Sequence, residues 1–182
     1  MSETVLETRP DIRSELHYRC AKPEDALGVW KLIQSSGTLE PNTAYFYLIF
    51  CSDFSDTCLI AEFEGVPIGV IIGYHPPRQP ATAFCWQIGV RPDWRGRGVA
   101  SRLLAQWLAL PANHDVRWLT ATVATDNKAS DRLFRSFAKH AQAACDVTEH
   151  FTVELLQPGH APEPLYRIGP LTMTHNNAPQ KV

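Results

Sequence analysis

The stretch from Ala83 to Leu110 joins an apolar strand pattern to an amphipathic helix through Pro92-Asp93-Trp94-Arg95-Gly96-Arg97-Gly98. This junction constrains the fold more than any other part of the chain. Gly96 and Gly98 permit a backbone conformation that side chains would bar, and they let the main chain pass close to a ligand. The helix predicted from Val99 carries Val99, Leu103, Trp107 and Leu110 along one stripe. A strand feeding a helix through such a turn aims free N–H groups and the helix N-terminus in one direction. That is a seat for a pyrophosphate or another anion. Arg95 and Arg97 add charge-assisted donors. The turn is neither a GxxxxGK phosphate loop nor a GxGxxG dinucleotide fingerprint.

The flanks alternate strand and helix signals. Leu16–Cys20 reads as a first strand, and Pro23 opens a helix with Ala26, Val29, Trp30 and Ile33 on one face and Gly37 at its end. The aromatic run from Tyr45 to Phe50 reads as a second short helix. Thr57–Phe63 and Val66–Tyr74 form a hairpin across Glu64-Gly65. Ala83–Val90 is a third strong strand, with Phe84, Trp86, Ile88 and Val90 expected on one face and Cys85, Gln87 and Gly89 on the other. Arg117–Ala124 reads as a strand, Asn127–Ala138 as a helix, and Val147–Leu155 and Leu165–Ile168 as the last two strands. The pattern predicts an α/β (α+β) domain with about seven strands in one mixed sheet and about four helices. Residues 1–14 and 172–182 read as a disordered N-terminal tail and a flexible C-terminal tail around a single domain at 15–171.

Composition removes several classes of function. The chain has 182 residues, 45 % hydrophobic and 20 % charged, and can bury a core without metals or disulfides. A formal charge of −2 offers no positive field for nucleic acid or an anionic membrane. No apolar run approaches the ~20 residues that cross a bilayer. The N-terminus lacks the basic and apolar regions of a signal peptide. Cys20, Cys51, Cys58, Cys85 and Cys145 are scattered, which predicts reduced, mostly buried thiols and a cytoplasmic setting. No Cys/His cluster has metal-ligand spacing, so no metal is expected.

Arg95, Gly98 and Ala100 fall at the defining places of a Q/R-x-x-G-x-G/A signature, and the chain there resembles the GNAT superfamily of N-acetyltransferases. The strand Trp86-Gln87-Ile88-Gly89-Val90 before it, and Asn127-x-x-Ser130-x-x-Leu133-Phe134 after it, resemble the superfamily's central strand and later helix. The resemblance implies acetyl-CoA as cosubstrate and a mostly antiparallel mixed sheet. It implies that the amides of Ile88 and Val90 meet the pantetheine and the acetyl carbonyl. The turn Arg95, Gly96, Arg97, Gly98, Val99, Ala100 would then hold the pyrophosphate, and Asn127 the pantetheine arm. Phe134 stands where many members carry a tyrosine that protonates the leaving thiolate, so that proton must come from elsewhere or from water.

Other segments resemble one branch of that superfamily, the diaminobutyrate acetyltransferases of ectoine biosynthesis. They are Ser36-Gly37-Thr38-Leu39-Glu40-x-Asn42-Thr43-x-Tyr45-x-Tyr47, Asp53-Phe54-x-Asp56-Thr57-Cys58, Tyr74-x-Pro76-Pro77 and Gly159-His160-x-x-Glu163-x-Leu165-Tyr166-Arg167. The resemblance implies a homodimer and a diamino acid acceptor that needs anions for its ammonium groups. Glu40, Asn42, Tyr45, Trp86, His160 and Glu163 become the candidate acceptor site. Tyr45 and Trp86 offer walls with cation–π attraction. A free alkylamine has a pKa near ~10, so a base must take a proton before attack. Glu40, His160 and Glu163 are the candidates. By residue type alone, Glu40 also fits a helix cap, His160 and Glu163 a surface pair, and Trp86 and Tyr45 plain packing. The apolar residues Phe151, Val153, Leu155, Leu156 and Tyr166 are expected to supply part of the dimer interface.

Overall fold

The computed structural model describes residues 16–37 and 39–172. The two expected tails lie outside the described residues, apart from Thr172. In chain order the elements are β1 (Leu16–Cys20), α1 (Ala26–Ser36), α2 (Ala44–Ser52), β2 (Cys58–Phe63), β3 (Val66–Tyr74) and β4 (Thr82–Val90). Then come α3 (Val99–Leu108), β5 (Trp118–Thr122), α4 (Lys128–His140), β6 (Ala144–Phe151) and β7 (Glu163–Gly169). The seven strands form one sheet in the order β1-β2-β3-β4-β5-β7-β6. Every neighbouring pair is antiparallel except β4–β5. This is the mixed, mostly antiparallel sheet that the sequence predicts.

Local chemistry accounts for most boundaries. Pro23 opens a short 3₁₀ turn before α1, and Gly37, with φ 62°, ends α1 in the left-handed conformation. Thr43 caps α2 by accepting the Phe46 N–H at 3.2 Å. The Glu64-Gly65 hairpin has φ of 50° and 76°, the positive pair that matches strand twist.

Two cores cover the sheet faces. One packs α3 and α4 onto β2–β5 and β7, around Leu103, Leu104, Trp107, Leu119, Phe134 and Ile168. The other packs α1 and α2 around Ile33, Tyr47, Ile60 and Ile72. Trp107 is fully buried and donates its indole N–H to the Thr57 carbonyl at 2.8 Å. A Cβ on Gly73 would stand 2.3 Å from the Trp107 ring, so a glycine there lets α3 lie against β3. Truncating a tryptophan so enclosed costs about 3–5 kcal/mol.

The structure corrects three expectations. The β3–β4 register shifts between Ile72 and Gly73, so Gln87 pairs with Ile72 but Cys85 with Gly73, and Trp86 is the extra residue of a bulge. The bulge reverses parity along β4. Ala83 and Cys85 share the α3 face with Ile88 and Val90, whereas Trp86 and Gln87 both lie toward α2. The strand expected at Val147–Leu155 runs instead from Ala144 to Phe151, in register with β7 from Gly169 to Glu163. Tyr166 is buried beside Phe134 and cannot supply an exposed interface, while Phe151, Val153 and Leu155 are exposed.

Candidate active site

The site begins where the sheet opens. Among the described residues β4 and β5 pair only at Thr82↔Trp118, Ala83↔Leu119 and Phe84↔Thr120. Beyond Phe84 these two strands separate. The Arg91 N–H donates to the Ile68 carbonyl on β3 at 2.9 Å. Backbone groups alternate sides along a strand, so the N–H groups of Ile88 and Val90 point the other way, into the gap. Two preorganised donors thus face an opening in which the sheet offers them no acceptor.

Two cavities share that opening. One of about 990 Å³ is bordered by Glu40, Asn42, Trp86, Thr122, His160 and Glu163. The other, of about 370 Å³, runs along Val90, Arg95, Gly96, Gly98, Val99 and Ala100. Leu39, Ile88, Asn127 and Ser130 border both.

The smaller cavity follows the glycine turn and the start of α3. Gly96 and Gly98 have φ of 71° and 74°, and a Cβ at either would meet no heavy atom within 4 Å. Space is therefore not what demands glycine there. The left-handed conformation is, at about 1–2 kcal/mol for other residues. Gly98 occupies the N-cap position of α3, so the first amides of α3 are free to face a ligand. Asn127 caps α4 by accepting the Ser130 N–H at 3.1 Å. The arginines depart from expectation. Arg95 donates Nε–H to the Val90 carbonyl at 3.3 Å and a guanidinium N–H to the Ser36 carbonyl, so its side chain ties the turn to β4 and α1. Arg97 lies over the Trp94 ring at 5.0 Å and does not border the cavity.

The larger cavity is a side-chain surface gathered from distant segments. Glu40 precedes α2 but is not its cap, since Thr43 holds that position. Its carboxylate accepts from Gln157 Nε2 at 2.6 Å, across 117 residues of chain. Its carbonyl accepts from Gln87 Nε2 at 2.9 Å. Gln87 Oε1 accepts from the Tyr47 hydroxyl at 3.1 Å, and that hydroxyl accepts from the Asn42 N–H at 3.1 Å. A buried polar chain thus fixes the Glu40–Asn42 loop against β4. Elsewhere in the cleft, Glu163 Oε2 accepts from Thr122 Oγ1 at 2.7 Å, and Glu163 Oε1 lies 3.7 Å from His160 Nε2. His160 Nδ1 lies 2.6 Å from the Ala161 carbonyl. A carbonyl only accepts, so Nδ1 is the donor in that contact, and Nε2 is the ring nitrogen that faces Glu163.

The structure brings together Glu40, Asn42, Trp86, His160 and Glu163 and leaves Tyr45 outside. Tyr45 is 70 % exposed, because it lies two residues, or about 200°, around α2 from the inward-facing Tyr47. Trp86 is 44 % exposed and stands among Phe46, Phe50, Tyr74 and Phe84, an aromatic wall with one free face. Sequence reading assigned no role to Gln87, Thr122 or Gln157. Gln87 had a readable signal, a polar residue inside an apolar strand. Thr122 and Gln157 had none.

Other reactive groups are held away from chemistry. Burial pushes the Cys58 and Cys85 thiols up to about 12 and Cys51 to about 11, so they stay protonated and inert. Burial, then its hydrogen bond to Asp131 at 2.6 Å, raises the Tyr166 phenol. That hydroxyl is therefore committed away from the cleft. Among the described residues no group of three or more His, Cys, Asp or Glu could hold a metal, and no helix is long and apolar enough to cross a membrane.

A sheet that splays at a bulge, with a glycine turn leading into a helix beside the opening, is the architecture of an acyl-CoA-dependent acyltransferase. The profile of the acetyltransferase (GNAT) family matches residues 26–138, and the chain belongs to that family. It is 41 % identical to the L-2,4-diaminobutyric acid acetyltransferase of Shouchella clausii, over 81 % of this chain and 83 % of the relative. To the enzyme of the same name from Nocardia farcinica it is 38 % identical, over 81 % and 76 %. Among solved structures it superposes on the diaminobutyrate acetyltransferase EctA from Paenibacillus lautus, in complex with L-2,4-diaminobutyric acid and coenzyme A. The TM-score is 0.84 at 36 % identity, over 91 % of this chain and 99 % of that one. Ard1 from Thermoplasma volcanium shares the fold at 20 % identity, with a TM-score of 0.67 over 85 % and 98 % of the two chains.

Proposed function

We propose that this chain transfers the acetyl group of acetyl-CoA to the γ-amine of L-2,4-diaminobutyrate, a step of ectoine (compatible-solute) biosynthesis. The observation that carries the reading is the meeting of a backbone-lined cavity with an acid-lined cleft at the β4–β5 seam. The relatives named for this reaction support the choice of acceptor.

The cosubstrate would lie along residues 88–100, its pyrophosphate on the amides of the turn and of α3. Its thioester carbonyl would meet the N–H of Ile88 or Val90, preorganised donors for the oxyanion of the tetrahedral intermediate. The acceptor would hold its ammonium groups against Glu40 on one wall and the His160–Glu163 pair on the other, with Trp86 and Asn42 beside them. One of these groups, directly or through water, takes the proton that frees the γ-nitrogen for attack. The N–C bond then forms, the C–S bond breaks and its electron pair leaves on sulfur. No metal enters. A homodimer in the cytoplasm belongs to the same reading. The exposed Phe151, Val153 and Leu155 and the unpaired, inert thiols support it.

The test is release of free coenzyme A with a panel of amines. Diaminobutyrate is expected to exceed diaminopropionate and ornithine, one carbon shorter and longer, since ~1 Å of misplacement can cost ~100-fold. Putrescine, which lacks the carboxylate, is expected to be poor. The product is expected to be the N-γ-acetyl isomer by NMR. Equal rates on all four acceptors, or acetylation mainly at the α-nitrogen, would overturn the assignment.

A further inference from the structure

Collapse of the tetrahedral intermediate puts negative charge on the coenzyme A sulfur, and the two cavities restrict what can meet it. The acetyl carbon must reach both the amine in one cavity and the pantetheine in the other. It therefore sits where they join, beside Leu39, Ile88, Asn127 and Ser130. Leu39 and Ile88 have no polar side chain. Asn127 spends Oδ1 on the Ser130 N–H as the cap of α4, and the acyl-transfer reading gives its Nδ2 donors to the pantetheine arm. Ser130 has its N–H satisfied by that cap, and among the described residues no group pairs with its hydroxyl. One turn along α4, Phe134 borders the cleft with a ring that cannot donate, and the Tyr166 hydroxyl behind it is bound to Asp131.

We infer that Ser130 is a further catalytic residue, whose Oγ–H donates a hydrogen bond to the thioester sulfur as it becomes the leaving thiolate. This rests on the acyl-transfer reading above. In the step, the electron pair of the C–S bond passes to sulfur. Ser130 keeps its proton and stabilises the charge. The thiolate is later protonated from solvent. The proton shed by the amine leaves through the acceptor cleft. A serine is too weak an acid to give up its proton outright, so the hydroxyl acts as a fixed dipole rather than a proton donor.

The experiment measures single-turnover acetyl transfer to diaminobutyrate by Ser130→Ala and Ser130→Thr, with KM for both substrates and thermal stability alongside. Alanine is the better helix former, so loss of fold is not expected. Ser130→Ala is expected to lower the transfer rate about 10- to 100-fold, below the loss for a full oxyanion donor because sulfur is a softer acceptor. Both KM values should stay within about twofold. Ser130→Thr, which keeps the hydroxyl, should recover at least about a third of the rate. A merely structural role predicts the reverse order, since threonine is bulkier and a poorer helix former. A Ser130→Ala transfer rate within about twofold of the parent, a loss carried by KM, or no recovery in Ser130→Thr would overturn the inference. If the parent enzyme itself releases no coenzyme A with diaminobutyrate, the proposed function falls, and this inference falls with it.

Discussion

The two cavities are built by opposite means. The wall along residues 88–100 is nearly contiguous in sequence and presents main chain: the amides of Ile88 and Val90, the turn at Gly96 and Gly98, and the start of α3. Of the two arginines that border the cavity, Arg95 and Arg132, the first is turned inward to serve the carbonyls of Val90 and Ser36. The acceptor cleft takes Glu40 from the loop before α2, Trp86 and Gln87 from β4, Thr122 from β5, and Gln157, His160 and Glu163 from the loop into β7. Backbone recognition depends on a conformation that a few glycines secure. Side-chain recognition depends on packing that brings residues 117 positions apart within 2.6 Å. A cosubstrate shared across a family suits the first, and an acceptor that varies suits the second.

That division is open to attack from either side. The largest effect is expected on the acceptor wall. On the proposed reading Glu163→Gln removes a charge that would face ammonium, a contact of about 1.5–3 kcal/mol, so kcat/KM for diaminobutyrate should fall ~10- to 100-fold. Acetyl-CoA binding by calorimetry should stay within about twofold. A parallel loss of acetyl-CoA affinity would mean the two walls are not separable.

Gly98→Val attacks the other side. A β-branched residue at φ 74° strains the turn and sets a side chain where the proposed reading seats the pyrophosphate. Acetyl-CoA affinity should weaken at least about tenfold. The strain alone is ~1–2 kcal/mol, a fall in Tm of roughly 2–4 °C for each kcal/mol. Unchanged affinity would remove the turn from the cosubstrate site.

A smaller effect is expected from Gln87→Leu, which deletes the bond to the Glu40 carbonyl and leaves the buried Tyr47 hydroxyl without its acceptor. The orphaned group costs about 1–3 kcal/mol of stability. KM for the diamino acid should rise several-fold while acetyl-CoA binding holds. If Gln87→Leu instead weakened acetyl-CoA, the polar chain would belong to the seam and not to the acceptor loop.

The smallest effect on activity is expected from Arg19→Met, far from both cavities. Hydrogen bonds from Arg19 are the main cause that holds the Asp25 carboxyl below its usual range, against some opposing burial. A depressed carboxylate stabilises the fold fully above its unfolded pKa of about 3.9, and that stability is lost as pH falls through the folded value. The parent should therefore outlast Arg19→Met in denaturant at pH 7, with the gap closing below about pH 4. A gap constant down to pH 2 would show that the pair acts through packing and not through charge.

The reach of sequence reasoning follows the same physics. Gly37, Glu64-Gly65 and Gly96-x-Gly98 act on their own backbone dihedrals, so the elements they punctuate fall where the sequence predicts them. The end of β6 is different. Nothing in Val147–Leu155 itself stops a strand, and the boundary at Phe151 is set by the partner, where β7 begins at Glu163. Tyr45 and Tyr47 look alike in sequence, yet only Tyr47 finds Gln87. Trp86 changes face because β3 and β4 slip by one residue between Ile72 and Gly73, a property of the pair and of neither strand alone.

By itself, then, the sequence determined the order of elements, the glycine turn before α3 and, through its resemblance, the family. Only the tertiary structure decided that β4 and β5 separate after Phe84, that Arg95 is tied back, that Tyr45 stays outside, and that Ser130 stands where the cavities meet. Dihedral preferences and helix caps are local and act over a few residues. Register, bulges and clefts are settled by packing between segments far apart in the chain, where no local signal reports which side chains will meet.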